Sequence, residues 1–197
     1  MWAFFNTLLL FADTVMRQIK CFVDMDQCLT DFSAAVQALG PDAAVGLGEN
    51  ATKENKQIMY KAIDKAGFNF WAQMAWTADG KALWDWLQAQ RLKPIILSSP
   101  GDFYWAEAGK REWIQNNIPG AQYFFEQNKF IYAERNAILI DDMQENVNAW
   151  NHEGGIGILH TDTNSTIQKV TDVVNKIFPQ SGFKALAKVI RDIAQIV

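Results

Sequence analysis

Two cysteines in 197 residues, Cys21 and Cys28, are too few for a disulfide framework. A reducing compartment, and with it a cytoplasmic location, is the expectation. Neither cysteine has partners at zinc-like spacing, so both read as small apolar fillers. The two histidines, His152 and His160, read as structural. Basic charge is also short: 18 Lys and Arg stand against 22 Asp and Glu, a formal net charge of −4. That balance argues against a non-specific nucleic-acid coat and leaves room for a small phosphorylated ligand held by a few local cations. Residues 1–15 are apolar but are interrupted by Asn6 and Asp13. They lack a basic n-region and a cleavage site, and they are too short to span a bilayer, so no membrane role is expected. They read either as sequence ahead of a natural start at Met16 or as a docked amphipathic extension. Repeats, linkers and low-complexity tracts are missing as well.

What is present suits one full-sized domain with room for a small insert, since apolar residues make up 49% and charged residues 20%. Three short apolar runs each end in polar groups. The first, from Lys20, runs into Asp24-Met25-Asp26; the second, from Pro94, into Ser98-Ser99-Pro100; the third, from Ala137, into Asp141-Asp142. Strands are predicted over 18–25, 94–97, 120–125, 137–140 and 156–159. Helices are predicted over 30–39, 50–66, 79–90, 108–117, 145–152, 165–178 and 183–197. Ser99 suits an N-cap and Pro100 a first helical position. Strand and helix alternate, which predicts an α/β fold with a mainly parallel sheet. The stretch 33–92 is long for one crossover and reads as a helical insert above the C-terminal edge of the sheet.

Polar groups delivered at the C-terminal ends of parallel strands are the layout of an active site. Carboxylates gathered there repel unless a cation sits among them, which points to a hard divalent ion, most simply Mg²⁺. Phosphoryl transfer fits the set. Asp24 is placed to attack phosphorus, and Asp26 to protonate the leaving oxygen and then activate water. Ser98 or Ser99, at a helix start, would bind phosphate oxygens. Lys129 or Lys110 would offset charge on the transferring group, and Asp142, with Asp141 beside it, would complete the metal shell. Trp84, Trp86, Trp113 and Trp150 read as packing residues. Phe32, Phe70 and Trp71 lie beside the first motif or within the insert and are the candidates for stacking on substrate.

In this order, the residues resemble the haloacid dehalogenase superfamily of phosphatases over 18 to about 160. Asp24-Met25-Asp26 resembles its first motif, Ile96-Leu97-Ser98-Ser99-Pro100 the second and Leu139-Ile140-Asp141-Asp142 the fourth. The resemblance implies a Rossmann-like core over 16–32 and 93–197 and a small helical cap over 33–92. It implies Mg²⁺ held by Asp24, Asp26 through its carbonyl, Asp142 and Asp141, with Lys129 as the third motif and Lys110 either the alternative for it or a second phosphate contact. Within the superfamily, Leu29-Thr30-Asp31-Phe32, Ser99-Pro100 and the aromatic Phe68-Asn69-Phe70-Trp71 resemble the 5'(3')-deoxyribonucleotidase group. The stretch from Asp142 to His160 is similar to that of small phage and bacterial nucleotide phosphatases. One departure is Gln27 where the superfamily has glycine, a change expected to narrow the phosphate pocket or alter the turn. The expected activity is hydrolysis of nucleoside monophosphates. A phosphatase acting on a polynucleotide 3' or 5' end is the alternative, and a degenerate domain binding a phosphorylated ligand the further one. Expected partners are a small phosphorylated substrate, a nucleotide first and a nucleic-acid end second, with a homodimer left open.

Overall fold

The computed structural model describes residues 19–48 and 50–177. The expected helix over 183–197, the extension over 1–15 and Met16 lie outside the described residues. Five strands form one sheet: β1 (Lys20–Val23), β2 (Ile95–Ser98), β3 (Tyr123–Phe125), β4 (Ala137–Asp141) and β5 (Ile156–Leu159). Their order is β3-β2-β1-β4-β5 and every pairing is parallel. The protein is therefore an α/β fold with a Rossmann-like core. The chain winds outward from β1 through β2 to β3, then crosses back to place β4 on the other side of β1. A crevice forms at such a reversal, outside the carboxyl ends of the two strands.

Side chains alternate across the sheet as a two-residue period requires. Cys21, Val23, Ile96, Ile138, Ile140 and Ile158 join one large core. Phe22, Leu97, Ala137 and Leu139 form a second core on the opposite face, closed by Trp150. Four helices form an excursion after β1: α1 (Phe32–Ala38), α2 (Pro41–Ala44), α3 (Lys53–Ala66) and α4 (Phe68–Ala72). This excursion leaves and returns at one place, because Asp31 N–H donates to Ala75 O at 2.9 Å and Thr77 N–H to Leu29 O at 2.8 Å. Helix α5 (Gly80–Ala89) follows and packs against α8 (Thr163–Ile177), where the Asp79 carboxylate accepts from Thr163 N–H at 2.9 Å. Helices α6 (Ala106–Asn117) and α7 (Gln144–His152) complete the layers. Among the described residues, no helix is long and apolar enough to cross a membrane.

Two expectations need correction. Strand β1 ends at Val23, not at residue 25, because the chain turns at once into the loop that carries Asp24 and Asp26. Ser99 does not cap a helix and Pro100 does not start one: α6 begins at Ala106. Gly101 adopts φ +69°, a left-handed conformation that breaks any helix there. Ser99 Oγ instead donates to the Gln127 side chain and accepts from Gly101 N–H at 3.2 Å.

Helices α4 and α6 meet at Gly109. A Cβ there would lie 2.5 Å from Trp71 Cβ and 2.8 Å from Phe68 O. Backbone cannot yield as a flexible side chain can, so Gly109→Ala forces the helices apart. We predict a loss of about 1–3 kcal/mol, read from the urea midpoint at unchanged slope.

Candidate active site

Both carboxylate-bearing loops leave adjacent strands at the reversal. Asp24 N–H donates to Ile140 O at 2.8 Å, so the ladder between β1 and β4 itself holds the two loops side by side. A cavity of about 340 Å³ opens above them, lined by Asp24, Asp26, Gln27, Phe32, Ser99, Gln127, Lys129, Asp142, Met143 and Asn146.

Lys129 is the hub. It lies in a 3₁₀ turn (Lys129–Tyr132) just ahead of β4 and is 4% exposed. Its Nζ lies 2.6 Å from Asp24 Oδ1 and 2.7 Å from Asp141 Oδ2. Burial alone would push this ammonium's pKa down, but the two carboxylates outweigh it and hold it above the ordinary lysine range. Asp141 is fully buried, and Asn146 Nδ2 (3.0 and 3.1 Å) and Met143 N–H (2.9 Å) donate to it. Asp24 is raised to about 7, chiefly by burial, with Lys129 pulling down and Asp141, Asp26 and Asp142 pushing up. Asp142 is raised to about 6 by burial and by Asp141.

A second buried lysine serves the other half of the site. Lys110, on α6 and 1% exposed, places Nζ 2.7 Å from Asp26 Oδ2, 3.0 Å from Ser98 Oγ and 2.8 Å from Ser99 O. The same ammonium sits 5.0 Å over the Trp71 ring. Gln27 keeps a left-handed turn, φ +63°, that a glycine would take without strain. Its amide bonds the first turn of α1, donating to Ser33 Oγ and accepting from Ser33 N–H at 3.4 Å.

Asp24, Asp26, Lys129, Ser99, Phe32 and Asp142 converge on the cavity as the sequence indicates. Five residues do not. Ser98 is fully buried and satisfied by Lys110, so it does not face the cavity. Lys110 is enclosed under Asp26 and holds that carboxylate, not an open phosphate position. Asp141 gives its oxygens to Lys129, Asn146 and Met143, which leaves Asp142 as the carboxylate of that pair facing the cavity. Phe70 and Trp71 are buried behind Phe32, with ring centroids 5.6 and 6.0 Å from it, and shape the wall without lining it. Gln127, Met143 and Asn146 line the cavity without having been singled out as site residues. Asn146 was findable, four positions after Asp142 on a predicted helix.

Four carboxylates meet two ammonium groups here, and the surplus is negative. Asp24 and Asp142 fit a hard divalent ion: they present oxygen donors close together, and burial and mutual repulsion disfavour their charged forms. Their oxygens and Cys28 Sγ all lie within 4.8 Å of one another. The Cys28 thiol is pushed well above its ordinary pKa by burial and then by the nearby carboxylates.

No family model matches this sequence, and no curated protein matches it. Among solved structures, a crystal structure of a hydrolase from Pseudomonas syringae is similar, with a TM-score of 0.47 and 14% identity over 76% of this chain and 89% of that chain. The functional reading accordingly rests on the residues of the site.

The raised pKa values of Asp24 and Asp142 mean that the folded protein holds protons which the unfolded chain releases. Without divalent ions, stability therefore falls as pH rises from about 4 to about 7. In EDTA at pH 8, Asp24→Asn removes one of the two carboxylates that share the Lys129 ammonium, and with it part of the surplus negative charge. It should stabilise the fold by about 1–4 kcal/mol, a rise of several degrees in Tm. Thermal melts across pH check both; a Tm that climbs through that window would contradict the assignment.

Proposed function

We propose that this chain is a Mg²⁺-dependent phosphomonoesterase of the haloacid dehalogenase type, acting on nucleoside monophosphates through an aspartyl-phosphate. The observation that carries the reading is Lys129 Nζ bridging Asp24 and Asp141 beneath a cavity whose wall also carries Asp26 and Asp142. Lys129 fixes Asp24 by Oδ1, which leaves Oδ2 for attack. The Asp24–phosphorus bond forms as the bond from phosphorus to the nucleoside oxygen breaks, and Asp26 gives that oxygen its proton. Asp26 then takes a proton from water, which attacks phosphorus, releases phosphate and restores Asp24. Lys129 stays charged throughout and offsets charge on the transferring group.

Asp24, Asp142 and the Asp26 carbonyl would hold Mg²⁺, which when bound shields the repulsion between the anionic nucleophile and the anionic phosphate. Lys110 orients Asp26 from below, and Ser99 and Gln127 offer polar atoms to the phosphate oxygens. The size of the cavity and the Phe32 ring at its wall favour a mononucleotide, whose base can stack on an aromatic face.

Phosphate release from a panel of 5'- and 3'-(deoxy)nucleotides and phosphorylated oligonucleotides tests this. We expect release from mononucleotides that needs Mg²⁺, stops in EDTA and is lost in Asp24→Asn. Asp26→Asn should lower kcat about 10²–10⁴-fold. Release from oligonucleotide ends alone would move the assignment to nucleic-acid processing. No release from any substrate, with phosphate still bound, would leave a degenerate binding domain. Separately, Phe32→Ala should raise KM for the preferred nucleotide about tenfold and change kcat far less.

A further inference from the structure

One buried side chain beside the carboxylates takes no part in phosphoryl transfer. Cys28 is fully buried, and its Sγ lies with one oxygen each of Asp24 and Asp142, all within 4.8 Å of one another. Among the described residues, no hydrogen-bond partner meets that thiol. The turn that carries it is locked. Leu29 and Thr30 N–H both donate to Met25 O at 2.8 Å, Gln27 N–H donates to Thr30 O at 2.7 Å, and Thr77 Oγ1 donates to Cys28 O at 3.3 Å. The Cys28 backbone therefore cannot move away from the carboxylates without breaking the loop that also positions Asp26.

An aliphatic side chain would fill this space equally well, whereas a thiol adds a soft donor to two hard ones. A thiolate and two carboxylates are a donor set for Zn²⁺ or Cd²⁺, whereas Mg²⁺ takes oxygen alone. Zinc–sulfur and zinc–oxygen bonds laid end to end come to roughly 4.4 Å. Donor atoms spread over no more than 4.8 Å can thus close on one ion with small side-chain movements.

We propose that Cys28 makes this a mixed thiolate and carboxylate site that takes a thiophilic divalent ion, Zn²⁺ or Cd²⁺, in competition with Mg²⁺. This rests on the reading that Asp24 and Asp142 hold a divalent cation. On binding, the ion bonds to Sγ and to the two carboxylates, the thiol proton passes to solvent, and no group changes oxidation state. Cys28 is buried and does not line the cavity, so an ion drawn to Sγ sits back from the position facing the phosphate, and Zn²⁺ inhibits where Mg²⁺ supports turnover. Cys21, on β1 and packed in the sheet core, is the internal control.

The test is a Cd²⁺ titration of the metal-free full chain, followed by sulfur-to-cadmium charge-transfer absorbance, with Mg²⁺ binding measured by calorimetry. Wild type and Cys21→Ser should develop the band and saturate at one ion per chain. Cys28→Ser and Cys28→Ala should lose it and bind Cd²⁺ at least about tenfold more weakly, with Mg²⁺ affinity within about threefold of wild type. Should both Cys28 variants fail to fold, the band retained in Cys21→Ser assigns the sulfur, since the chain has two cysteines. Cd²⁺ binding without the band in wild type, or a band that survives in a folded Cys28 variant, overturns the proposal while Mg²⁺ binding keeps the underlying reading. Failure of wild type to bind Mg²⁺ overturns that reading itself.

Discussion

Everything in the site is arranged around one ammonium group enclosed among carboxylates. Lys129 bonds Asp24 on one side and Asp141 on the other, and nearly all water is excluded from it. A lone buried charge is costly, and a buried pair remains so unless its other lone pairs and protons are used. Asn146 and the Met143 N–H meet that need for Asp141. Asp24 has no such support, and its charge is the weak point of the folded state. A fold that keeps a poorly compensated carboxylate in its interior trades stability for a reactive group. On the function proposed above, a divalent cation held beside Asp24 and Asp142 would offset the surplus negative charge.

The two lysines divide the work. Lys129 couples the two carboxylate loops to each other, and Lys110 couples Asp26 to β2 and to the helical excursion. Through Asp26, Ser98, Ser99 O and the Trp71 ring, one side chain touches the first loop, the second strand and α4. Phe32 packs edge-to-face on Phe70 and at a tilt against Trp71 in the same cluster, so the wall of the cavity and the support of Asp26 share their packing. Movement of α4 would therefore be felt at the carboxylate as well as at the wall.

Much of this was legible in the chain. Apolar runs that stop abruptly in Asp24-Met25-Asp26 and Asp141-Asp142 announce parallel strands with chemistry at their ends, and the fold follows from their alternation with helices. What stayed hidden depended on which way a side chain points. Asp141 and Asp142 are neighbours with the same chemistry, yet strand geometry buries one and turns the other toward the cavity. Ser98 and Ser99 differ in the same way. Lys110 and Lys129 look alike as sequence, and only the fold tells which carboxylate each one serves. The Ser99-Pro100 helix start failed because Gly101, at positive φ, ends any helix before it begins, a local conflict that the capping pattern alone could not resolve. Cys28 reads as filler in the sequence because the carboxylates near it are Asp24, four residues away through a tight turn, and Asp142, in the loop after β4.

The ladder between β1 and β4 has a consequence of its own. Val23 pairs with Ile140, and the next residue in each chain segment, Asp24 just past β1 and Asp141 at the end of β4, is a carboxylate. The separation of the two acidic loops is therefore a lattice constant of the sheet, about 4.8 Å between neighbouring strands, and owes little to the side chains around them. A slip of one residue along that ladder would leave a sheet of nearly equal hydrogen bonding with each acid on the wrong face. The alternation of Phe22 and Leu139 with Val23 and Ile140 forbids that slip, so the two separate cores act as the proofreader of the site's geometry.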